Sequence, residues 1–152
     1  MKLSFGSRAM IVIGLAFSII VFTVPLITRS TRYKVAEAVS KNFKKIEFSL
    51  NLFFYTEGFE LTDPSKVDVK TLVDRYYLKK NPGNYAIKWL DTDVEDDRRI
   101  VAVIYYVGHV DPVALKAVYP RVKWFDQKSG KLIGDYRKGL YPAVVVEVVK
   151  NW

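Results

Sequence analysis

The N-terminal part of the chain contains one uninterrupted apolar segment. Residues 9–27 read AMIVIGLAFSIIVFTVPLI and include no charged side chain. This is the length that a helix needs to cross the hydrocarbon core of a membrane. The segment is apolar on every side, which disfavours a buried helix of a water-soluble core. Its length and the lack of a small-residue cleavage site disfavour a cleaved signal peptide. We therefore expect a transmembrane helix over residues 9–28, after a basic tip at residues 1–8.

A helical spacing of apolar residues continues beyond this segment. The pattern predicts an amphipathic continuation of the same helix over residues 29–57, and Gly58 is expected to stop it. Pro25 is expected either to bend the helix or to end its apolar segment. The apolar positions, three or four residues apart, are Val35, Val39, Phe43, Ile46, Leu50 and Phe53.

Two short helices are expected in the rest of the chain, residues 58–152. Asp68 can cap the first of them. Asp111-Pro112 opens the second, which runs through Val118 before Pro120. The first helix should present one apolar face, made of Val69, Leu72, Val73 and Tyr76.

Strands are predicted over residues 85–90, 100–107 and 141–149, which are rich in β-branched and aromatic side chains. A hairpin is predicted between residues 122–125 and 132–133, with Gly130 at positive φ. Short turns join the strands, so the expected fold class is α+β, with the long N-terminal helix packed on a small, mostly antiparallel sheet. The predicted core pairs Val39, Phe43, Ile46 and Leu50 with Val101, Val103, Val144 and Val146 or their immediate neighbours.

Composition restricts function mainly by exclusion. The chain has 152 residues, 50% of them hydrophobic, which is enough for one domain and an anchor. It has no Cys and a single His, His109. Disulfides and thiolate metal sites are therefore excluded, and histidine-based catalysis is disfavoured. No nucleotide-binding, zinc-protease or serine-hydrolase motif occurs. We expect no enzymatic activity and no cofactor.

An acidic cluster follows the first predicted strand. Asp91, Asp93, Glu95 and Asp97 carry carboxylates of the kind that bind Ca²⁺, with Asp96 beside them. The favoured interpretation is instead a solvated turn balanced by Arg98 and Arg99. The chain as a whole has a net charge of +8. Nucleic acid is nevertheless disfavoured as a partner, because the aromatic residues fall mainly within the strand and helix patterns.

The charges that flank the apolar segment favour a cytoplasmic domain. Only Lys2, Arg8 and the terminal amine precede the segment. The positive-inside rule places the more basic side in the cytoplasm. The cations that follow the segment are Arg29, Arg32, Lys34, Lys41, Lys44 and Lys45.

Two stretches and the order of the parts resemble type IV pilins and the pseudopilins of type II secretion. Residues 50–59 read LNLFFYTEGF, similar to the family's L-x-L-Y-Y-x-x-N-G-x-Y-P at the end of its long helix. Residues 72–82 read LVDRYYLKKNP, similar to L-x-x-x-Y-L-K-K-x-P before the strands. The resemblance implies a non-enzymatic subunit with a single membrane pass and its domain outside the cytoplasm.

The same resemblance implies a role for the first helix in assembly with other such subunits. Gly14, Ala16 and Ser18, with Pro25, are the candidate packing positions. The family is processed after a Gly that is followed by Phe, and a Glu lies at the fifth mature position. Here Gly6-Ser7 is the candidate bond, and neither the Phe nor the Glu is present. A minor pilin or a pseudopilin therefore fits better than a major filament subunit.

A second hypothesis explains the basic flank directly. The chain would be a bitopic membrane protein whose basic juxtamembrane helix binds anionic lipid. Its cytoplasmic domain would then bind another protein. In the first hypothesis the partners are the lipid bilayer and other pilin-like subunits or membrane-complex proteins. The side of the membrane that the domain occupies distinguishes the two.

Overall fold

The fold was analysed in a computed structural model, which describes residues 5–58, 63–91 and 99–149. Within these ranges, the side chains of residues 5, 8, 9, 22, 24–28 and 91 are not described. The helices are α1 (Phe5–Glu57), a 3-10 turn (Pro64–Lys66), α2 (Val69–Asp74) and α3 (Pro112–Val118). The strands are β1 (Tyr85–Asp91), β2 (Arg99–Tyr106), β3 (Lys123–Asp126), β4 (Lys131–Ile133) and β5 (Tyr141–Val149). The α+β class is confirmed.

The five strands form one curled sheet in the order β1-β2-β5-β3-β4. Every neighbouring pair is antiparallel, which confirms the expected sheet type. β5 is the last of these strands in sequence and lies between β2 and β3. Its pairing with β2 sets Ile104 opposite Val144 and Ala102 opposite Val146. Because successive side chains of a strand point to opposite faces, these four residues lie on one face of the sheet.

The C-terminal part of α1 supplies seven of the 22 buried residues of the main core. Val39, Phe43, Ile46 and Leu50 are buried, as the helical spacing predicts. They share one cluster with the face of β2 and β5 that carries Ile100, Ala102, Ile104, Val144, Val146 and Val148. Residues 58–149 therefore do not form the main core by themselves, because α1 from Ala36 to Phe54 completes it.

On β2 the predicted packing is made by the immediate neighbours of the two valines, Ile100, Ala102 and Ile104. Val144 and Val146 face α1, but Val101 and Val103 do not. Val103 is buried in a second cluster on the opposite face, with Tyr105, Phe125 and Ala143. Nearly every residue of β2 is apolar, so the sequence lacks the alternation that would identify the face toward the helix.

Local signals predicted most element ends correctly. The Asp68 side chain accepts a hydrogen bond from the Thr71 amide within a complete capping box at α2, and the Asp111 side chain caps α3 in the same way. The Gly58 amide bonds to the Phe54 carbonyl after the last turn of α1. Gly130 has φ 69° in the hairpin between β3 and β4.

The placement of Tyr76 on the apolar face of α2 is wrong. α2 ends at Asp74, and the amides of Tyr77 and Leu78 both bond back to the Leu72 carbonyl. Hydrogen bonds that return to the helix in this way require a residue with left-handed backbone angles just after the helix. Tyr76 supplies it with φ 65°, and its side chain is 95% exposed.

Candidate functional site

The N-terminal part of α1 presents an apolar surface that nothing in the described chain covers. The side chains from Met10 to Val21 are all exposed, with Met10 at 78% and Phe17 at 68%. The hydroxyl groups in this part bond to their own helix, Ser18 to the Gly14 carbonyl at 2.9 Å and Thr23 to the Ile19 carbonyl at 2.6 Å. Its polar side-chain atoms are thus satisfied without water.

The predicted packing residues lie on this surface. Gly14 has no atom within 4 Å of the position that a Cβ would take, so another backbone can approach it closely. Ala16 and Ser18, two and four residues after Gly14, are exposed as well. Pro25 lies within α1, so the helix does not end there. Gly6 and Ser7, the candidate processing bond, lie near the beginning of α1.

Among residues 5–58, 63–91 and 99–149, no helix is long and apolar enough to cross a membrane.

A second feature is a groove between α1 and the segment that leads into β1. Its volume is about 680 Å³. From α1 it is lined by Asn42, Lys45, Ile46, Phe48 and Ser49, and from the other wall by Tyr77, Leu78, Lys79, Lys80 and Pro82. We call this feature the basic groove, because its lining includes three lysines and no carboxylate.

One hydrogen bond joins the two walls of the basic groove, and a second joins its α1 wall to β1. Ser49 donates from Oγ to the Tyr77 carbonyl at 2.9 Å, and Asn42 donates from Nδ2 to the Tyr85 hydroxyl at 3.2 Å. Burial raises the pKa of Tyr85 to about 12, against a smaller lowering effect of the bond from Asn42. The phenol therefore stays neutral at physiological pH. It adds no negative charge beside the lysines of the groove.

The exposed lysines of the groove are available to a ligand. Lys45, Lys79 and Lys80 are all exposed. Within the described parts of the chain, none of the three forms an ion pair. The exposed Phe48, at 68%, provides an apolar wall beside them. Such a groove fits an anionic segment with some apolar character.

The acidic cluster falls mostly outside the described residues. Asp91 is the last residue of β1, whereas Asp93, Glu95, Asp96 and Asp97 lie within residues 92–98, which the structure does not describe. In the described part of the chain, no group of three or more His, Asp or Glu side chains is arranged to hold a metal ion. The Ca²⁺ hypothesis therefore stays a prediction.

Most aromatic side chains are structural, as the patterns predict. Phe43, Phe53, Phe54 and Phe125 are fully buried. The exposed aromatic side chains include Phe48 and Tyr55 on α1 and Tyr76 just after α2, at 68%, 79% and 95%. One face of α1 carries Phe48, Leu52 and Tyr55, because side chains four and seven positions apart project from the same side of a helix.

Comparisons with protein-family models, with curated proteins and with solved structures found no match to this chain.

Proposed function

We propose that this chain is a non-enzymatic, membrane-anchored subunit of the pilin-like class, a minor pilin or a pseudopilin, that assembles through the N-terminal part of α1. One observation carries the proposal. The same helix that completes the core of the domain from Ala36 to Phe54 exposes every described side chain from Met10 to Val21.

A helical surface this apolar is unfavourable in water, since burying apolar area is the main driving force of folding and association. Lipid chains and neighbouring helices are the two environments that would cover it. A helix suits both, because it satisfies its own backbone hydrogen bonds. The anchor proper is the whole apolar run of residues 9–27, of which the side chains of 9, 22 and 24–28 are not described.

The class follows from the resemblance together with this division of α1. The helix end at residues 50–59 and the stretch at residues 72–82 carry the resemblance. In the structure these stretches meet, since Phe53 packs edge-to-face on Tyr77 at 5.3 Å and the Tyr77 hydroxyl donates a hydrogen bond to the Glu57 carboxylate at 3.4 Å. The proposal places the domain outside the cytoplasm, with lipid and other subunits as partners.

A second candidate is favoured by the cations just after the apolar run. Arg29, Arg32 and Lys34 are exposed on α1. They would sit at the membrane surface of a bitopic protein with a cytoplasmic, protein-binding domain. Reporters fused at Trp152 distinguish the two candidates. Activity of a periplasmic reporter such as alkaline phosphatase supports the pilin-like subunit, whereas fluorescence of a cytoplasmic reporter supports the bitopic protein.

Assembly through α1 is tested with one cysteine in a chain that has none. Ser18→Cys places a thiol one helical turn from Gly14, so oxidation of membranes should yield disulfide-linked dimers if helices pack on that face. Adding Gly14→Leu should abolish the dimers, because Leu fills the space above Gly14 without reducing hydrophobicity.

Ala16→Leu is the matched control, because residue 16 lies on nearly the opposite side of the helix from residue 14. It should leave the Ser18→Cys dimers intact. Absence of dimers from Ser18→Cys alone, or equal dimer yields in both leucine variants, would contradict assembly through this face.

A further inference from the structure

The basic groove differs from the surface around the arginines of the domain, because its cations are unpaired. Four arginines each lie 3.3–3.8 Å from a carboxylate, namely Arg32, Arg75, Arg99 and Arg121. Lys45, Lys79 and Lys80 form no such pair within residues 5–58, 63–91 and 99–149, and no carboxylate lines the groove. A recess that is lined by charge of one sign concentrates its field on ligands of the opposite sign.

The wall at Lys79 and Lys80 also offers main-chain donors. This segment lies between α2 and β1. The amides just before it, those of Tyr77 and Leu78, both bond to the Leu72 carbonyl. The amides of Lys79 and Lys80 bond to no acceptor in the described parts of the chain. Free amides of this kind can pair with the oxygen atoms of a bound peptide.

One side of the groove continues into an exposed apolar face of α1. Phe48 lines the groove and is 68% exposed. Leu52 and Tyr55 follow it on the same face, at 39% and 79%. From Phe48 to Tyr55 this face extends about 10 Å, since a helix rises 1.5 Å per residue. A ligand that covers both the groove and this face therefore needs apolar side chains as well as negative charge.

The groove stands away from the lipid surface. With residues 9–27 in lipid, Lys45 lies roughly 27 Å beyond the end of that run, measured along the continuous helix α1. The headgroup layer on one side of a bilayer is only about 5–8 Å thick. Lipid headgroups of the anchoring membrane are thus too far away, and a ligand in the surrounding water is favoured.

We propose that the basic groove binds an acidic peptide segment of a partner protein, one that carries a large apolar side chain among its carboxylates. The carboxylates pair with Lys45, Lys79 and Lys80, and the apolar side chain covers Phe48. Charge complementarity and the adjoining apolar face together carry the proposal. Both candidate functions place residues 9–27 in lipid, so the proposal holds for either of them and does not require subunits to assemble.

Fluorescence anisotropy with the full chain in nanodiscs of uncharged lipid tests this site. The probe is a labelled synthetic peptide of glutamates with one central leucine, and it should bind at low salt. Lys79→Gln with Lys80→Gln should weaken binding by about five- to tenfold, as expected for the loss of two ion pairs.

A second pair of lysines provides the matched control. Lys128→Gln with Lys131→Gln removes the same charge from exposed positions in the β3–β4 hairpin. That hairpin lies at the opposite edge of the sheet from β1. The control should therefore leave the Kd within about twofold of the unmodified chain. Circular dichroism with thermal melting checks that each variant remains folded.

The apolar contact is tested with a second peptide, in which serine replaces the leucine. The unmodified chain should bind the leucine peptide about fivefold more tightly, because the leucine covers apolar surface. Phe48→Ala keeps the three lysines and should bind the two peptides about equally. A preference for leucine that survives in Phe48→Ala would contradict the predicted placement of the peptide.

Three further results would overturn the proposal. The first is no binding of the leucine peptide at low salt. The second is equal weakening in the groove and hairpin variants, which would mean charge attraction without a defined site. The third is a single-stranded oligonucleotide that binds more tightly than the peptide and depends on the same lysines, which would assign the groove to nucleic acid. The Ser18→Cys dimers report on the anchor separately, so this failure is distinguishable from failure of the proposed function.

Discussion

Asn42 on α1 donates a hydrogen bond to the hydroxyl of Tyr85, which begins β1. The bond is 3.2 Å long and joins the helix to the edge strand of the sheet. The same Tyr85 ring contacts Phe43 in the core and Tyr106 on β2, at 5.6 and 4.9 Å between centroids. Tyr85 thus links the basic groove to the core beneath it.

The raised pKa of Tyr85 predicts a loss of stability at high pH. The ordinary value is 10.0, and burial raises the folded-state pKa to about 12. The folded state holds this proton more tightly than the unfolded state, so the contribution is complete below pH 10 and is lost as the pH rises toward 12. We expect ionisation of Tyr85 to lower the free energy of unfolding by about 1–2 kcal/mol across that window, less than the full pKa shift implies because solvent screens the partly exposed phenol.

Tyr85→Phe has no hydroxyl to titrate and should show a shallower decline over the same pH window. Chemical unfolding of both proteins at several pH values between 9 and 12 measures the difference. Tyr119, whose pKa burial also raises, is present in both proteins, so its effect cancels in the comparison. Parallel declines in the two proteins would show that Tyr85 ionises normally.

Phe43 and Phe48 lie on one helix in opposite environments and form a matched pair. Phe43 is fully buried, whereas Phe48 is 68% exposed. Phe43→Ala should cost about 3–5 kcal/mol of unfolding free energy, because it removes a core aromatic and leaves a cavity. Phe48→Ala should change it by less than about 0.5 kcal/mol. Denaturant unfolding of the full chain in detergent measures both, and similar losses would contradict the packing of α1.

Asp111 has two roles that substitutions can separate. Its side chain accepts a hydrogen bond from the Ala114 amide at 2.8 Å and lies 3.8 Å from the Arg32 guanidinium. Asp111→Ala should cost about 1 kcal/mol through loss of the helix cap. Asp111→Asn keeps the cap and loses the charge, so it should be nearly neutral, as should Arg32→Ala. Equal losses from the Ala and Asn variants would assign the stability to the ion pair.

Gly130 and Gly134 test the backbone of the β3–β4 region. Gly130 has φ 69°, and a Cβ at either glycine would meet no atom within 4 Å. Gly130→Ala should therefore cost about 1–2 kcal/mol through the left-handed conformation alone. Gly134→Ala lacks that strain and should change the unfolding free energy by less than about 0.5 kcal/mol. Thermal melts of the two variants compare them directly.

Much of the fold could be predicted because local signals and burial agree. The spacing of Val39, Phe43, Ile46 and Leu50 identifies the buried face of α1, and Asp68 and Asp111 identify two helix starts. The face of β2 could not be predicted, because Val101 to Ile104 are all apolar and only the pairing with β5 decides which side meets α1. The exposure of Tyr76 was missed because helix closure overrode its preference for a buried position.

The exposed apolar part of α1 was predictable from an uninterrupted run of residues, whereas the basic groove was not. Its walls come from two segments that are distant in sequence, at Lys45 and at Lys79-Lys80. Each segment taken alone is a short cluster of surface cations, which is common on soluble domains. They come together only in the folded chain, where Ser49 bonds to the Tyr77 carbonyl and Phe53 packs on the Tyr77 ring.

The position of β5 has a consequence for biosynthesis. β2 and β3 are made before it, and neither pairs with the other, since β5 lies between them. Until residues 141–149 have emerged from the ribosome or a translocation channel, the nascent chain holds two separate hairpins and a half-covered α1. Such a chain exposes unpaired strand edges for that period, which makes it a substrate for chaperones and a hazard for aggregation. Completion of the sheet therefore waits until residues 141–149 are available to pair with both hairpins.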